Sequence, residues 1–258
     1  VMNNKKIIGI VGGVGPYAGL DLVRKIFDQT IANIDQEHLS VALLSIPEEI
    51  EDRTLFLLGQ TGVNPAYAIS KVIRKLEEIG ASVIGIPCNT AHSPRIFDVI
   101  IEELKKSNSC VKLINMINEV AEFIRGNYPL IRNIGLLCTT GAYKIRLYVN
   151  ILEQMGINLI LPDEVLKKTV HDAIYNPVFG IKAQSNPVTD TAKKKLLEAI
   201  RFLQNRGAEA IILGCTEISL AVTDKKIGKT VIIDPTLILA RALIREVNPD
   251  KLKPLMNV

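Results

Sequence analysis

The chain carries one strand-and-cysteine module twice. Residues 77–88 parallel residues 204–215: a helical pattern ends at Gly80-Ala81 and again at Gly207-Ala208, an apolar run follows, and Cys88 and Cys215 close the two runs. Ile73 and Leu76 stand at the same offsets from their cysteine as Ile200 and Leu203. Further upstream, the apolar stretch over 7–13 matches that over 133–139, and Gly9 precedes Cys88 by 79 residues where Gly135 precedes Cys215 by 80. A single internal repeat of this length is a duplication, not a solenoid array. Generic strand–helix units need not keep a cysteine in register, so the pattern predicts two thiols facing each other across one pocket.

Hydrophobic periodicity fills in the rest. Short apolar runs predict strands over 7–11, 41–46, 81–86, 112–115, 133–138, 157–161, 209–213 and 231–233. Amphipathic stretches predict helices over 19–33, 65–79, 93–106, a helix ending near 126, and helices over 142–155, 163–175, 189–206 and 235–246. Alternating strands and helices make parallel sheets with helices on both faces. The expected fold is α/β, with two similar doubly wound lobes related by a pseudo-two-fold duplication. The N-terminal lobe is residues 1–113 plus 234–258 and carries Cys88; the C-terminal lobe is 114–233 and carries Cys215. Ligands in such sheets bind at the carboxyl ends of strands, so the active site is expected in the cleft between the lobes.

Composition excludes several alternatives. With 48% hydrophobic and 22% charged residues among 258, the chain is a packed globular protein, not a disordered one. It has no tryptophan and a net charge of +4, with lysines dispersed except at Lys193-Lys194-Lys195, which reads as a solvated helix face. Nucleic-acid binding is not expected. No apolar run approaches the ~20 residues of a membrane span, so no membrane partner is expected. Val1 to Lys6 lacks the apolar region of a signal peptide. A cytoplasmic location follows as the expectation, and the widely spaced Cys88, Cys110, Cys138 and Cys215 are expected as reduced thiols. No Cys-x-x-Cys occurs, and His92 alone does not make a metal site.

The remaining motifs concern anions. Gly12-Gly13-Val14-Gly15-Pro16 is a turn that brings bare backbone close to a negatively charged ligand. Gly13, Gly15 and Ala18 fit a dinucleotide fingerprint formally, but the acidic residue of the following strand, Glu48, comes too late for ribose binding and Pro16 does not belong in such a turn. Carboxylate binding is the better expectation. Arg53 lies just past a strand, where its guanidinium can fork onto a carboxylate or pair with Asp52 or Glu49. Lys182 sits in an irregular stretch between Gly180 and Pro187 that has the composition of a flap. Each of Cys88 and Cys215 is followed by small polar residues and an expected helix N-terminus, an arrangement that lowers a thiol's pKa. Cys110 reads as an ordinary buried cysteine.

These motifs, in this order, resemble the cofactor-independent aspartate/glutamate/hydantoin racemase superfamily, its aspartate racemase branch in particular. The resemblance spans nearly the whole chain. It rests on the glycine turn over 12–16, Asp52-Arg53-Thr54, Pro87-Cys88-Asn89-Thr90-Ala91-His92, Ile181-Lys182-Ala183 and Leu213-Gly214-Cys215-Thr216-Glu217-Ile218. Glutamate racemases usually carry Asp-Ser in the first glycine loop and histidine after the second Cys-Thr; Gly12-Gly13 and Glu217 stand there instead, which favours aspartate. Val14 and Cys138 replace the methionine and alanine common in the family.

The resemblance implies proton transfer at the α-carbon, with Cys88 and Cys215 as a thiolate base and a thiol acid that exchange roles with the enantiomer. No cofactor and no metal are implied. Gly13, Asn89, Thr90, Thr139, Thr140, Thr216 and Glu217 are expected to line the substrate site, and Arg53 and Lys182 to clamp the carboxylates of a small dicarboxylic amino acid. A homodimer is implied too. Racemisation of glutamate or a hydantoin, a maleate-type cis–trans isomerisation through one nucleophilic cysteine, and non-catalytic dicarboxylate binding are the alternatives.

Overall fold

The computed structural model describes residues 6–255. The stretch read for a targeting signal falls mostly on residues 1–5, outside the described residues. The chain divides into two compact units, one running to Glu119 and resuming at Thr236, the other spanning Val120–Pro235. The crossing falls inside a helix, where the sequence pattern had placed the boundary ahead of it, at 113.

The first unit contains β1 (Ile7–Gly12), α1 (Pro16–Gln29), β2 (Val41–Ser45), α2 (Arg53–Leu57), α3 (Ala66–Glu78), β3 (Ala81–Gly85), α4 (Pro94–Lys106), β4 (Lys112–Leu113) and the start of α5 (Met116–Asn127). The second continues with β5 (Asn133–Leu137), α6 (Thr140–Lys144), α7 (Val149–Gln154), β6 (Asn158–Ile160), α8 (Glu164–Tyr175), α9 (Asp190–Asn205), β7 (Ala210–Leu213), α10 (Thr216–Ala221), β8 (Lys226–Ile227) and β9 (Thr230–Ile233). Helix α11 (Pro235–Val247) returns the chain to the first unit.

The first sheet has strand order β2-β1-β3-β4 and is parallel throughout. The second has order β6-β5-β7-β9-β8, parallel except for the β8–β9 pair. Setting β8 aside, the two orders are the same. Helices cover such sheets on both faces, which is why the strands are runs of Ile, Val and Leu without polar alternation. In the first unit Ile8 and Ile10 pack with Leu22 and Ile26 of α1 and with Leu239, Leu243 and Ile244 of α11.

One contact shows the duplication at atomic detail. Gly9 pairs in register with Ile84, and Gly135 with Ile211. A β-carbon built on Gly9 would lie 2.4 Å from Ile84 Cδ1 and 3.4 Å from Leu76 Cβ. One built on Gly135 would lie 3.1 Å from Ile211 Cγ1 and 3.2 Å from Leu203 Cβ. Both units thus use a bare strand position to seat the same leucine of the covering helix.

Several predicted bounds shift. Helix α1 starts at Pro16 and ends at Gln29, not over 19–33. Proline suits the first helical turn, and Thr30 turns extended, bonds its hydroxyl back to the Ile26 carbonyl and pairs with Leu252. The single helix expected over 142–155 is two, because Arg146 takes a left-handed φ of 54°. The strand expected over 112–115 stops at Leu113, and Asn115 caps α5 through the amides of Ile117 and Asn118.

Candidate active site

In the first unit the site elements meet at the carboxyl end of the sheet. Gly13, after β1, has φ 82°, and a β-carbon there would stand 2.9 Å from Ile46 C and Pro47 N, so the loop needs glycine. The turn leaves Val14 buried with its carbonyl facing Arg53, whose guanidinium donates to it. Arg53 also donates to the Glu51 carbonyl at 3.2 Å. The Asp52 carboxylate caps α2, accepting from the amides of Thr54 at 2.7 Å and Leu55 at 3.0 Å. The Asp52-Arg53-Thr54 motif is therefore a helix start that presents a buried cation to the glycine loop.

Cys88 follows β3 in extended conformation, at the N-cap of a 3-10 turn over Asn89–His92. Its sulfur lies 3.3 Å from Thr90 Oγ1. Its amide donates to the Ile86 carbonyl at 2.8 Å, and His92 Nε2 stands 3.1 Å from the same oxygen. A carbonyl only accepts, so Nε2 carries the imidazole proton. Burial pulls the His92 pKa down to about 4, against a smaller upward pull from that hydrogen bond. His92 is a neutral brace on the strand end. Asn89 and Thr90 are buried beside the thiol.

In the second unit Thr139 caps α6, its hydroxyl accepting from the Ala142 amide at 3.4 Å. Thr140 Oγ1 stands 3.3 Å from His171 Nδ1. Tyr143 donates its hydroxyl to the Leu136 carbonyl and receives the Cys138 amide. Cys138 is fully buried, and burial pushes its thiol well up.

Cys215 follows β7 as the N-cap of α10. Its thiol lies 2.9 Å from Glu217 Oε2, and the other carboxylate oxygen lies 3.0 Å from Lys182 Nζ. Thr216 Oγ1 is 3.3 Å from Oε2. The Lys182 ammonium also sits 5.0 Å above the Tyr175 ring, which stacks on His171 with centroids 4.6 Å apart. Burial works to raise the Glu217 pKa, but Lys182 and the Cys215 thiol outweigh it and hold the carboxyl at about 2. Burial first, and then the Glu217 carboxylate, drive the Cys215 pKa well up, with Lys182 offsetting part.

Two expectations need correction here. A helix N-terminus predicts an acidic Cys215; the helix start is present, yet burial, and after it a carboxylate in hydrogen-bond contact, reverse the sign. The stretch carrying Lys182 was expected to have the character of a flap. It is pinned: Ile181 is fully buried, and the amides of Ile181 and Lys182 donate to the Ala173 and Ile174 carbonyls. Gly180 fits there because a β-carbon would stand 2.5 Å from the Asn176 backbone. Tyr143, His171 and Tyr175 were not singled out in the sequence. For His171 and Tyr175 a signal existed, since residues four apart share a helix face.

Residues 11–243 match the family model described as Asp/Glu/Hydantoin racemase. The chain belongs to this racemase family. Its fold overlays that of the Picrophilus torridus aspartate racemase with a TM-score of 0.78 at 30% identity, covering 94% of each chain. The broad specificity amino-acid racemase RacX of Bacillus subtilis is 25% identical over 92% of this chain and 96% of its own length. A glutamate racemase from Francisella tularensis, crystallised with D-glutamate, shares the fold with a TM-score of 0.62 at 16% identity, covering 98% of this chain and 85% of that one. As a member of the racemase family this protein is an isomerase. Among the described residues, no helix is long and apolar enough to cross a membrane.

Proposed function

We propose that this racemase interconverts L- and D-aspartate without a cofactor, by proton transfer between its α-carbon and two cysteines. The observation that carries the proposal is the equivalence of Cys88 and Cys215: each follows the third strand of its unit's repeat, in extended backbone, as the N-cap of a helical turn. In the forward step the α-carbon–hydrogen bond breaks and the proton passes to one sulfur as thiolate becomes thiol. The other thiol gives its proton to the opposite face of the same carbon and becomes thiolate. The reverse reaction exchanges the roles.

The α-proton is weakly acidic, so charge moving onto the α-carboxylate must be met by fixed donors. Asn89, Thr90, Thr139, Thr140 and Thr216 are the groups proposed for this, with Gly13 giving backbone access. Arg53 and Lys182 are the cations proposed for the two carboxylates, the first suited to a forked contact and the second to a point charge. Aspartate is favoured by the likeness to an aspartate racemase at 30% identity. A second reading, racemisation of several amino acids, is favoured by the likeness to RacX across 92% of the chain. The family likeness further implies a homodimer.

Proton NMR of the purified protein with L-aspartate in deuterium oxide, paired with chiral chromatography, tests the proposal. Loss of the α-proton signal together with appearance of D-aspartate supports it. Exchange with other amino acids at equal rate favours the second reading, and no exchange of aspartate removes the first.

A further inference from the structure

We propose that Glu217 is a positioning residue that locks Cys215 in its thiol form, so that the resting enzyme presents Cys215 as the proton donor and Cys88 as the base. The inference deepens the two-cysteine reading above and rests on it for its catalytic consequence. The lock itself is a property of the free protein.

The two modules are built alike up to the sulfur and differ at the next contact. Each cysteine reaches the side chain two residues on: Cys88 meets the hydroxyl of Thr90 at 3.3 Å, Cys215 the carboxylate of Glu217 at 2.9 Å. A hydroxyl can donate to a thiolate as readily as it accepts from a thiol. An ionised carboxylate can only accept, so the Cys215–Glu217 contact exists only while the sulfur keeps its hydrogen. Losing that proton would set two anions 2.9 Å apart in a buried site, where like charges repel strongly. Lys182, 3.0 Å from the other oxygen, keeps the carboxylate ionised and the lock engaged. The low Glu217 pKa and the raised Cys215 pKa agree with this direction.

The consequence is an asymmetry inside a duplicated architecture. The enantiomer whose α-proton faces Cys88 needs no change at Cys215, which already holds the proton it must donate. The other must wait for the proton to be redistributed between the two sulfurs.

Alkylation by iodoacetamide, followed cysteine by cysteine with peptide mass spectrometry across a pH series and without substrate, tests the lock. Only the thiolate reacts appreciably, and exposure is nearly equal at 7% for Cys88 and 8% for Cys215. The expected result is that Cys88 outpaces Cys215 by about ten-fold or more near neutral pH, and that Glu217→Gln raises the Cys215 rate by about ten-fold, one pKa unit being a factor of ten. The Cys88 rate should not move. Continued protection of Cys138 reports that the variant is folded. A wild-type Cys215 that reacts as fast as Cys88 overturns the proposal whatever the variant does. So does a folded Glu217→Gln protein whose Cys215 pH profile is unchanged. Because no substrate is present, either failure is separate from a failure to racemise aspartate.

Discussion

His92 Nε2 donates to the carbonyl of Ile86, the oxygen that also receives the amide of Cys88. One acceptor therefore ties the imidazole to the backbone turn that presents the thiol. His92 is 4% exposed and burial depresses its pKa to about 4. The unfolded chain binds a proton near pH 6.5 that the folded chain refuses until about pH 4. Stability is then full above pH 6.5 and falls as the pH drops through that window, by about 3 kcal/mol in all. Urea unfolding at pH 7.5 and pH 5 should show about 2 kcal/mol of this loss in the wild type, the part that falls between pH 6.5 and 5, and a smaller loss in His92→Gln. Equal losses would remove His92 as the cause.

Substitution of either cysteine separates the two faces of the reaction. Cys88→Ala and Cys215→Ala are each expected to lower racemisation by at least a thousand-fold, about 4 kcal/mol of barrier. Each should retain slow exchange of the α-proton of one enantiomer in deuterium oxide, and the enantiomer retained should differ between the two. Full racemisation by either variant would sink the two-base mechanism.

Gly13→Ala places a β-carbon 2.9 Å from the backbone of Ile46 and Pro47 at a φ of 82°. Left-handed backbone alone costs a non-glycine residue about 1–2 kcal/mol, and the clash adds to it. A lower urea midpoint and weaker substrate binding are expected together, since the same turn sets the Val14 carbonyl on which Arg53 rests. A variant with wild-type midpoint and KM would show that the loop relaxes freely.

Tyr175 supports Lys182 through the face of its ring, at 5.0 Å. Such contacts are worth about 0.5–2 kcal/mol. Tyr175→Leu should therefore raise KM for aspartate by about two- to thirty-fold, with less effect on kcat, while Tyr175→Phe, which keeps the ring, should stay close to wild type. If Phe and Leu behave alike, the ring face is not what positions the ammonium.

The strands and the repeat were legible in the sequence because parallel strands buried on both faces leave an unbroken apolar run, and because Gly9 and Gly135 each stand in such a run at matching distance from a cysteine. The limits of α1 were not. Periodicity reports the face of a helix, whereas its ends are set by Pro16 and by the tertiary bridge of Thr30 to Leu252. The break between α6 and α7 depends on one left-handed residue, Arg146, whose side chain type gives no warning. At the site, the cysteines could be found by pattern, but the sign of the Cys215 shift could not. It follows first from burial of the thiol and then from the Glu217 carboxylate beside it, and neither the depth of a strand end nor the direction of a side chain can be read from the motif.

The first unit borrows α11 from beyond the second, and Leu239, Leu243 and Ile244 of that helix complete the core around Ile8 and Ile10. During synthesis the segment 120–235 leaves the ribosome whole while the earlier half still lacks its closing helix. The usual order, in which the amino-terminal domain folds first, is thereby inverted. The half bearing Cys215 is the one able to settle early, and β1 keeps an uncovered apolar flank until the last helix emerges.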